Sequence, residues 1–280
     1  MSNPQQRHTS LARTSIITLT TDFGLNDHFV GVMKGVMLDI FPEVHIVDVT
    51  HAVQPFDVLD GALAISQAYS YFPSGTVHLV VVDPGVGTPR RPILVTTERH
   101  HFVAPDNGVL SLVYDRETRI SARHITAEHY FLPGRSNTFH GRDIFSPVAA
   151  NLAKGVNPQN FGDEVADFVR FAAPRPKPVD EHNLRGIVLK VDRFGNLITN
   201  IAPQDAPALA SPGAAEFKIT VAGKGPITRI CASYAEGTPG EPFGVWGSMG
   251  FLEIVANRSS AAQLLGAGKG AEVNVVMEGK

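Results

Sequence analysis

Two segments of the sequence combine an acidic or imidazole side chain with arginine and glycine, a composition suited to a site that moves protons. The first covers residues 82–91 (VDPGVGTPRR), where Asp83 follows a nearly all-apolar run. Its glycines allow the backbone to approach a ligand closely. Arg90 follows seven residues after Asp83, so a turned loop can return it to the carboxylate. From the residues alone, a surface salt bridge that closes a turn is the alternative interpretation.

The second segment covers residues 138–143 (TFHGRD), in which His140 stands beside a glycine and an Arg–Asp pair follows. Histidine is the side chain most readily used for proton transfer near neutral pH. Taken alone, a histidine in this setting is more often a hydrogen-bonded structural group. This segment therefore indicates a site only in combination with the first.

A third segment, residues 20–27 (TTDFGLND), places two carboxylates, Asp22 and Asp27, after a predicted strand. A carboxylate accepts hydrogen bonds at both oxygens, which suits the two adjacent hydroxyls of a ribose. The alternative is an Asx-turn that binds nothing. The Asp-Phe-Gly motif of protein kinases is excluded, because neither a glycine-rich loop nor a catalytic-loop motif accompanies it.

Alternating β-rich and helix-like segments must position these residues. Apolar runs bounded by glycine and proline predict strands at 16–21, 45–49, 77–82, 92–96 and 101–104, and apolar spacing predicts helices at 30–41, 58–71, 107–114 and 145–153. This alternation predicts an α/β domain with a mostly parallel sheet. In such sheets ligands bind at the carboxyl ends of the strands, where Asp22, Asp83 and Asp106 fall.

The proline-rich segment 172–183 is predicted to be a linker between two domains. It separates the α/β domain, residues 15–171, from a C-terminal domain, residues 184–280. Short β-type runs and little helical pattern predict a small, all-β, barrel-like fold for that second domain. Residues 1–14 are polar and are predicted to be a disordered leader.

Composition narrows the function classes. The 280 residues carry a formal net charge of -3, with no stripe of lysine and arginine, so nucleic acid is not an expected partner. A single cysteine, Cys231, excludes an internal disulfide and a CxxC motif. The apolar run near residue 16 is too short for a signal sequence or a membrane span, which predicts a cytoplasmic protein with no membrane partner.

Five blocks in this order resemble the S-adenosylmethionine (SAM) hydroxide adenosyltransferase family, relatives of the SAM-dependent fluorinase and chlorinase. They are TDFG at 21–24, VDPGVG at 82–87, APDNG at 104–108, TFHGRD at 138–143 and DRFGNLITN at 192–200. The likeness spans roughly residues 15–278. It implies an enzyme that hydrolyses SAM to adenosine and methionine by in-line attack of an oriented water on the ribose C5′, without cofactor or metal.

The resemblance also implies roles for individual residues. Asp83, Arg90 and His140 match the family's water-handling triad, which the halogenases are expected to lack. The other matching residues are implied to bind substrate: Asp22 the ribose diol, Phe56 and Phe139 the sugar and sulfonium, Phe194 and Asn196 the adenine, and Ser248 the methionine end. The halogenases carry an arginine after that serine, and here Met249 replaces it.

Members of the family are typically homotrimers that bind the ligand between one subunit's N-terminal domain and its neighbour's C-terminal domain. The resemblance implies the same assembly for this chain.

Three alternatives from other classes remain open. A metal-dependent nucleotide or phosphate-ester hydrolase would draw its ligands from Asp22, Asp27, Asp106, His140 and Asp143, although no ligand-spacing motif such as HExxH is present. A binding module would sense SAM or adenosine without turnover. A halogenase of the same superfamily is disfavoured by the triad, as is the sensor.

Overall fold

A computed structural model describes residues 15–210 and 216–277, and the predicted leader lies outside the described residues. The chain forms two compact units that divide between Ala172 and Ala173. No helix of the described residues is both long and apolar enough to cross a membrane.

The N-terminal unit contains a mixed sheet. Its strands are β1 (Ile16–Thr21), β2 (His45–Thr50), β3 (Val77–Val81), β4 (Pro92–Thr96), β5 (His101–Pro105), β6 (Ser121–His124) and β7 (Glu164–Val165). They lie in the order β2-β1-β3-β5-β4-β6-β7. The first four in this order run parallel, and the other three join antiparallel at one edge. The α/β class predicted for this part of the chain is confirmed.

Helices cover both faces of this sheet: α1 (Phe29–Ile40), α2 (Val58–Ala68), α3 (Ser111–Tyr114) and α4 (Ser146–Lys154). The side chains of β3 alternate between two cores, as the two-residue period of a strand requires. Leu79 packs into the core that contains residues of α1 and α4, whereas Val80 packs into the core that contains residues of α2 and α3. The strand is buried on both faces, which explains its apolar sequence.

The helix predicted at 107–114 is shorter than expected and begins at Ser111. Its first residues form a turn instead, because the Asn107 side chain donates to the carbonyl of Val82 at 2.8 Å and accepts from the Val109 amide at 3.1 Å. Gly108 adopts a φ of 93°, which a helix does not allow.

The C-terminal unit is a curled sheet with two short helices. Its strands are β8 (Lys177–Pro178), β9 (Asn183–Val191), β10 (Leu197–Thr199), β11 (Phe217–Val221), β12 (Lys224–Ile227), β13 (Ile230–Cys231), β14 (Pro242–Trp246), β15 (Leu252–Ala256) and β16 (Glu272–Met277), and its helices are α5 (Pro207–Ala210) and α6 (Ala261–Leu265). The main path runs β12-β11-β16-β9-β10-β15-β14-β13, and β8 pairs with β9. The pairs are antiparallel except β13 with β14. A β-rich C-terminal domain is confirmed, and closure into a barrel stays a prediction.

Three histidines cluster at the amino edge of the N-terminal sheet. His78 and His100 are buried, and their rings lie 5.0 Å apart. Nδ1 of His78 pairs with the Thr18 hydroxyl at 2.7 Å. Burial lowers the pKa of His78 well below its usual value, and it lowers the pKa of His100 and that of the half-buried His101 to about 4. All three are therefore neutral at pH 7.

This cluster predicts acid sensitivity. Between pH 6.5 and 4 the unfolded chain binds protons that the folded chain does not. The contribution of these histidines to the free energy of unfolding is therefore fully present above pH 6.5 and is lost as the pH drops towards 4. Each such proton changes the free energy of unfolding by about 1.4 kcal/mol per pH unit. Urea unfolding of wild type and a His100→Gln variant at several pH values measures this. A variant whose stability falls as steeply as that of wild type would contradict the assignment.

Candidate active site

The structure brings Asp83, Arg90 and His140 together at the carboxyl edge of the N-terminal sheet. Nε of Arg90 donates to Oδ1 and Oδ2 of Asp83 at 2.9 and 3.1 Å, and Nη2 donates to Oδ2 as well. Nη2 also donates to Nδ1 of His140 at 2.8 Å. The side chains of Asp83 and Arg90 are only 5% and 9% exposed. This is a buried, fork-shaped ion pair rather than a surface salt bridge.

Tight turns in the loop after β3 return Arg90 to Asp83. The Val86 amide donates to the carbonyl of Asp83, and the amide and hydroxyl of Thr88 both donate to the carbonyl of Gly85. Gly87 adopts a φ of 78° and lies so close to the segment before His140 that a Cβ there would sit 2.6 Å from the backbone oxygen of Asn137. The loop that carries Arg90 therefore packs directly on the loop that carries His140.

A Gly87→Ala variant is expected to be destabilised by two effects. Left-handed backbone costs a non-glycine residue about 1–2 kcal/mol, and the clash with Asn137 adds to this cost. Gly134→Ala is the matched control, because Gly134 has a φ of 74° but nothing within 4 Å of its Cβ position. Urea unfolding of the two variants separates the effects, and equal losses would show that the close packing of the two loops is unimportant.

The hydrogen bonds fix the tautomer of His140. Arginine has N–H donors and no acceptor, so its bond to Nδ1 requires the lone pair of that nitrogen. Burial, followed by the neighbouring Arg90 guanidinium, lowers the pKa of His140, and the opposing effect of Asp83 is smaller. The ring is therefore neutral at pH 7 and carries its proton on Nε2, where it can donate to a bound oxygen.

Asp143 anchors the segment that carries His140. Its carboxylate accepts from Nε of Arg142 at 2.6 Å, from Nη2 of Arg142 at 3.0 Å and from the Ser136 amide at 2.8 Å. Burial raises the pKa of this carboxyl, but the bonds from Arg142 and Ser136 outweigh burial and lower the pKa overall. Residues Gly141–Phe145 form a π-helical turn directly after His140. Such turns are rare and are frequent at functional sites.

A second ion pair, which the sequence reasoning missed, holds the other end of the Arg90 loop. Nε and Nη2 of Arg91 donate to Oδ2 of Asp106 at 3.0 and 2.7 Å, and Oδ1 of Asp106 accepts from the Val169 amide at 2.7 Å. Arg91 also donates to the exposed carboxylate of Asp167. The Arg-Arg doublet, together with an aspartate at a neighbouring strand end, was the available signal.

Asp22 lies at the end of β1 and is half-buried, and burial raises the pKa of its carboxyl. Its Oδ2 accepts from the Phe56 amide at 2.8 Å. Phe56 has a φ of 66° and a side chain that is 72% exposed. A non-glycine residue with this conformation is strained, and strain of this kind is common at binding sites. The structure therefore brings these two predicted substrate residues together.

Phe139, the residue before His140, belongs to an aromatic cluster. Its ring centroid lies 5.9 Å from that of Phe23 and 5.2 Å from that of Phe29. The Arg142 guanidinium lies over its ring at 5.3 Å. The aromatic side chain is thereby held at the same edge as the triad.

The remaining predicted residues belong to the C-terminal unit. Asp192 organises the loop after β9: Oδ1 accepts from the amides of Phe194 and Asn196, and Oδ2 accepts from the Asn196 side chain at 2.8 Å. The loop presents Phe194 at 77% exposure, whereas Asn196 is buried. Ser248 lies in the turn between β14 and β15, where the Gly250 amide donates to the carbonyl of Gly247.

The residues of the metal alternative do not form a shared site. Among the described residues, no three side chains of histidine, cysteine, aspartate or glutamate are arranged to hold a metal ion. Asp106 and Asp143 are instead paired with Arg91 and Arg142. A ligand set drawn from these carboxylates is therefore not favoured.

The chain thus combines an α/β unit that carries an Asp–Arg–His site with a mostly antiparallel β unit, and this combination defines the class of protein. Residues 17–162 match the family model of the SAM hydroxide adenosyltransferase N-terminal domain, and residues 186–274 match that of the C-terminal domain. The chain belongs to the SAM hydroxide adenosyltransferase family.

Individual relatives agree with this assignment. An (R)-S-adenosyl-L-methionine hydrolase from Thermus thermophilus is 36% identical over 264 residues, which cover 91% of this chain and 97% of that protein. A fluorinase from Nocardia brasiliensis is more distant, at 30% over 282 residues, with coverage of 91% and 94%. The crystal structure of an uncharacterized conserved protein from Thermotoga maritima matches with a TM-score of 0.86 and 37% identity, covering 93% of this chain and 99% of that one.

Proposed function

We propose that this protein hydrolyses S-adenosyl-L-methionine to adenosine and L-methionine. The observation that carries the proposal is the Asp83–Arg90–His140 constellation, in which the first two side chains are buried and the imidazole keeps Nε2 for a water molecule. Membership of the family and the 36% identity to a hydrolase named for this substrate support it. That relative is named for the R form, and we propose the same form as the substrate here.

The leaving group of this reaction departs without acid catalysis by the enzyme. The sulfonium departs as a neutral thioether, so no general acid has to protonate it. The water oxygen forms a bond to C5′ while the C5′–S bond breaks and its electron pair passes to sulfur. What the site must supply is alignment, and alignment alone contributes about 7–11 kcal/mol in a well-ordered site. Aromatic faces such as those of Phe56 and Phe139 would stabilise the cationic sulfonium before it reacts.

The hydrogen bonds of the triad indicate which residue takes the proton. His140 cannot accept at Nδ1 without losing its bond to Arg90, and Nε2 already carries a proton in the neutral tautomer. We therefore assign His140 to donate from Nε2 to the water oxygen. Asp83 receives the proton as the O–C5′ bond forms, and Arg90 holds this carboxylate in place.

This assignment predicts the acidic side of the pH profile. The pKa of His140 lies below 6.5, so kcat is expected to stay constant as the pH falls to 6.5 and to decline below it. Protonation at Nδ1 would break the bond to Arg90 and place two cations side by side. His140→Asn keeps an acceptor near the Nδ1 position but cannot titrate, so its slower reaction should lack this decline. If kcat of wild type declined on the acidic side with an apparent pKa above 6.5, the assignment of His140 would be contradicted.

The substrate contacts follow from the same proposal. Asp22 would accept from the ribose hydroxyls, with Phe56 and Phe139 beside the sugar and the sulfonium. Phe194 would stack on adenine, Asn196 would read its edge, and Ser248 would hold the methionine end. Phe56 and Phe194 are 72% and 77% exposed, so both side chains are free to contact a ligand.

We also propose that the chain acts as a homotrimer with its ligand between neighbouring subunits, as the family resemblance implies. Sedimentation of the protein with and without adenosine tests the assembly. A cytoplasmic location stays a prediction of the sequence.

The experiment for the function is a chromatographic assay of metal-free protein with each sulfonium epimer of SAM. Adenosine and methionine in equal amounts, unaffected by chelator and by chloride, would establish the hydrolase. Loss of activity with chelator would instead favour the metal-dependent alternative, and 5′-chloro-5′-deoxyadenosine would favour a halogenase. Tight binding of SAM without products would favour the sensor.

A further inference from the structure

A pocket of about 360 Å³ in the N-terminal unit reaches the triad from a side that no proposed substrate residue lines. Of the triad, Arg90 and His140 form part of its wall, together with Thr126, Glu128 and Arg135, whereas Asp83 does not. Asp22, Phe56 and Phe139 are absent from that wall, although all three are among the described residues. The pocket therefore meets the triad away from the positions assigned to ribose and sulfonium.

The exposure of the lining residues shows which end of the pocket opens to solvent and which end is buried. Thr126 is exposed, and the paired side chains of Glu128 and Arg135 are 73% and 42% exposed, so they mark its mouth. Ile125 and Ile144 are 2% and 3% exposed and mark its inner end, beside Arg90. The pocket thus runs from the surface to the buried guanidinium.

The Arg90 guanidinium, which lines the inner end, has one N–H that the triad does not use. Nη1 of Arg90 is buried and has no partner among the described residues, whereas Nε and Nη2 are bonded to Asp83 and His140. A buried N–H without a protein partner is normally satisfied by water. Thr88, Thr126 and Asn137 add polar groups along the wall. A pocket of this volume has room for several waters.

We propose that this pocket is the passage by which water reaches the triad, on the side formed by Arg90 and His140. The inference rests on the proposed hydrolysis. When substrate covers the carboxyl edge of the sheet, the nucleophile has to be supplied from elsewhere, and this pocket joins Arg90 and His140 to the surface.

A reversible plug at the mouth tests the passage. The Thr126→Cys substitution places a thiol there, and the natural Cys231 is buried, so methanethiosulfonate reagents should label one site. Methyl and benzyl adducts of increasing size are attached, confirmed by mass, and removed with dithiothreitol. Glu98→Cys is the control, because Glu98 is exposed in the turn between β4 and β5, at the opposite edge of the sheet.

The benzyl adduct of the Thr126→Cys variant is expected to lower kcat about tenfold or more, a barrier higher by about 1.4 kcal/mol, and the methyl adduct to lower it less. KM for SAM and the affinity for adenosine should not change, and dithiothreitol should restore the rate. Full labelling without an effect on kcat, or loss of adenosine binding on labelling, would overturn the proposal. If the unlabelled variant and wild type both fail to form adenosine, the proposed function fails instead.

Discussion

Replacement of Asp83 by asparagine is expected to lower kcat for adenosine formation by about 10²–10⁴-fold, the range that a positioned general base contributes. Asparagine keeps the shape of the side chain but is a poor proton acceptor. It also cannot form the charged, two-oxygen pair with Arg90. The expected change in KM for SAM is small, because the proposed contacts to ribose, adenine and methionine are made by other residues. Steady-state kinetics at pH 7.5 measures both constants.

Asp167→Asn is the matched control for this variant. Asp167 also pairs with an arginine, Arg91, but its side chain is 79% exposed and solvent screens the pair. Its kcat should remain near that of wild type. If Asp83→Asn and Asp167→Asn had similar rates, Asp83 would not be the proton acceptor.

Replacement of Arg90 by methionine is expected to have the largest effect on stability. The Asp83 side chain is 5% exposed, and the structure gives it Arg90 as its charged partner. Breaking a buried ion pair from one side costs about 3–5 kcal/mol, because a charge then remains buried and uncompensated. The bond to His140 is lost in the same variant, so adenosine formation should also be strongly reduced. Urea unfolding measures the first effect and the chromatographic assay the second.

A double variant separates these two effects. In Asp83→Asn combined with Arg90→Met, no charge is left unpaired, so much of the lost stability should return while activity stays low. Recovery of stability without recovery of activity is the pattern expected of a water-handling site. If the double variant were as unstable as the two single losses added together, the buried pair would not be coupled.

The sequence predicted the elements that position the site because their patterns are local. The run at 77–82 is apolar on both faces, and proline and glycine end it at Asp83. The strands at 16–21 and 92–96 were predicted with the bounds that the structure has. Short strands such as Ser121–His124 were missed, since their polar residues become strand-like only through pairing with β4.

Other features of the site could not be predicted from one sequence because they depend on contacts between distant segments. The π-helical turn Gly141–Phe145 has no local pattern of its own. The tautomer of His140 follows from a hydrogen bond across fifty residues, and the anchoring of Arg91 follows from its contacts with Asp106 and Asp167. The triad itself was named because five separate motifs resembled one family, and any one motif alone left a structural alternative open.

The central claim is that water attacks the ribose C5′ in a site built from Asp83, Arg90 and His140. The most direct test is a reaction of the R form of SAM in H₂¹⁸O, with the mass of the adenosine measured by chromatography and mass spectrometry. We expect one ¹⁸O atom in the 5′-hydroxyl of adenosine and an unlabelled methionine. Adenosine without ¹⁸O, or no adenosine while SAM remains bound, would contradict it.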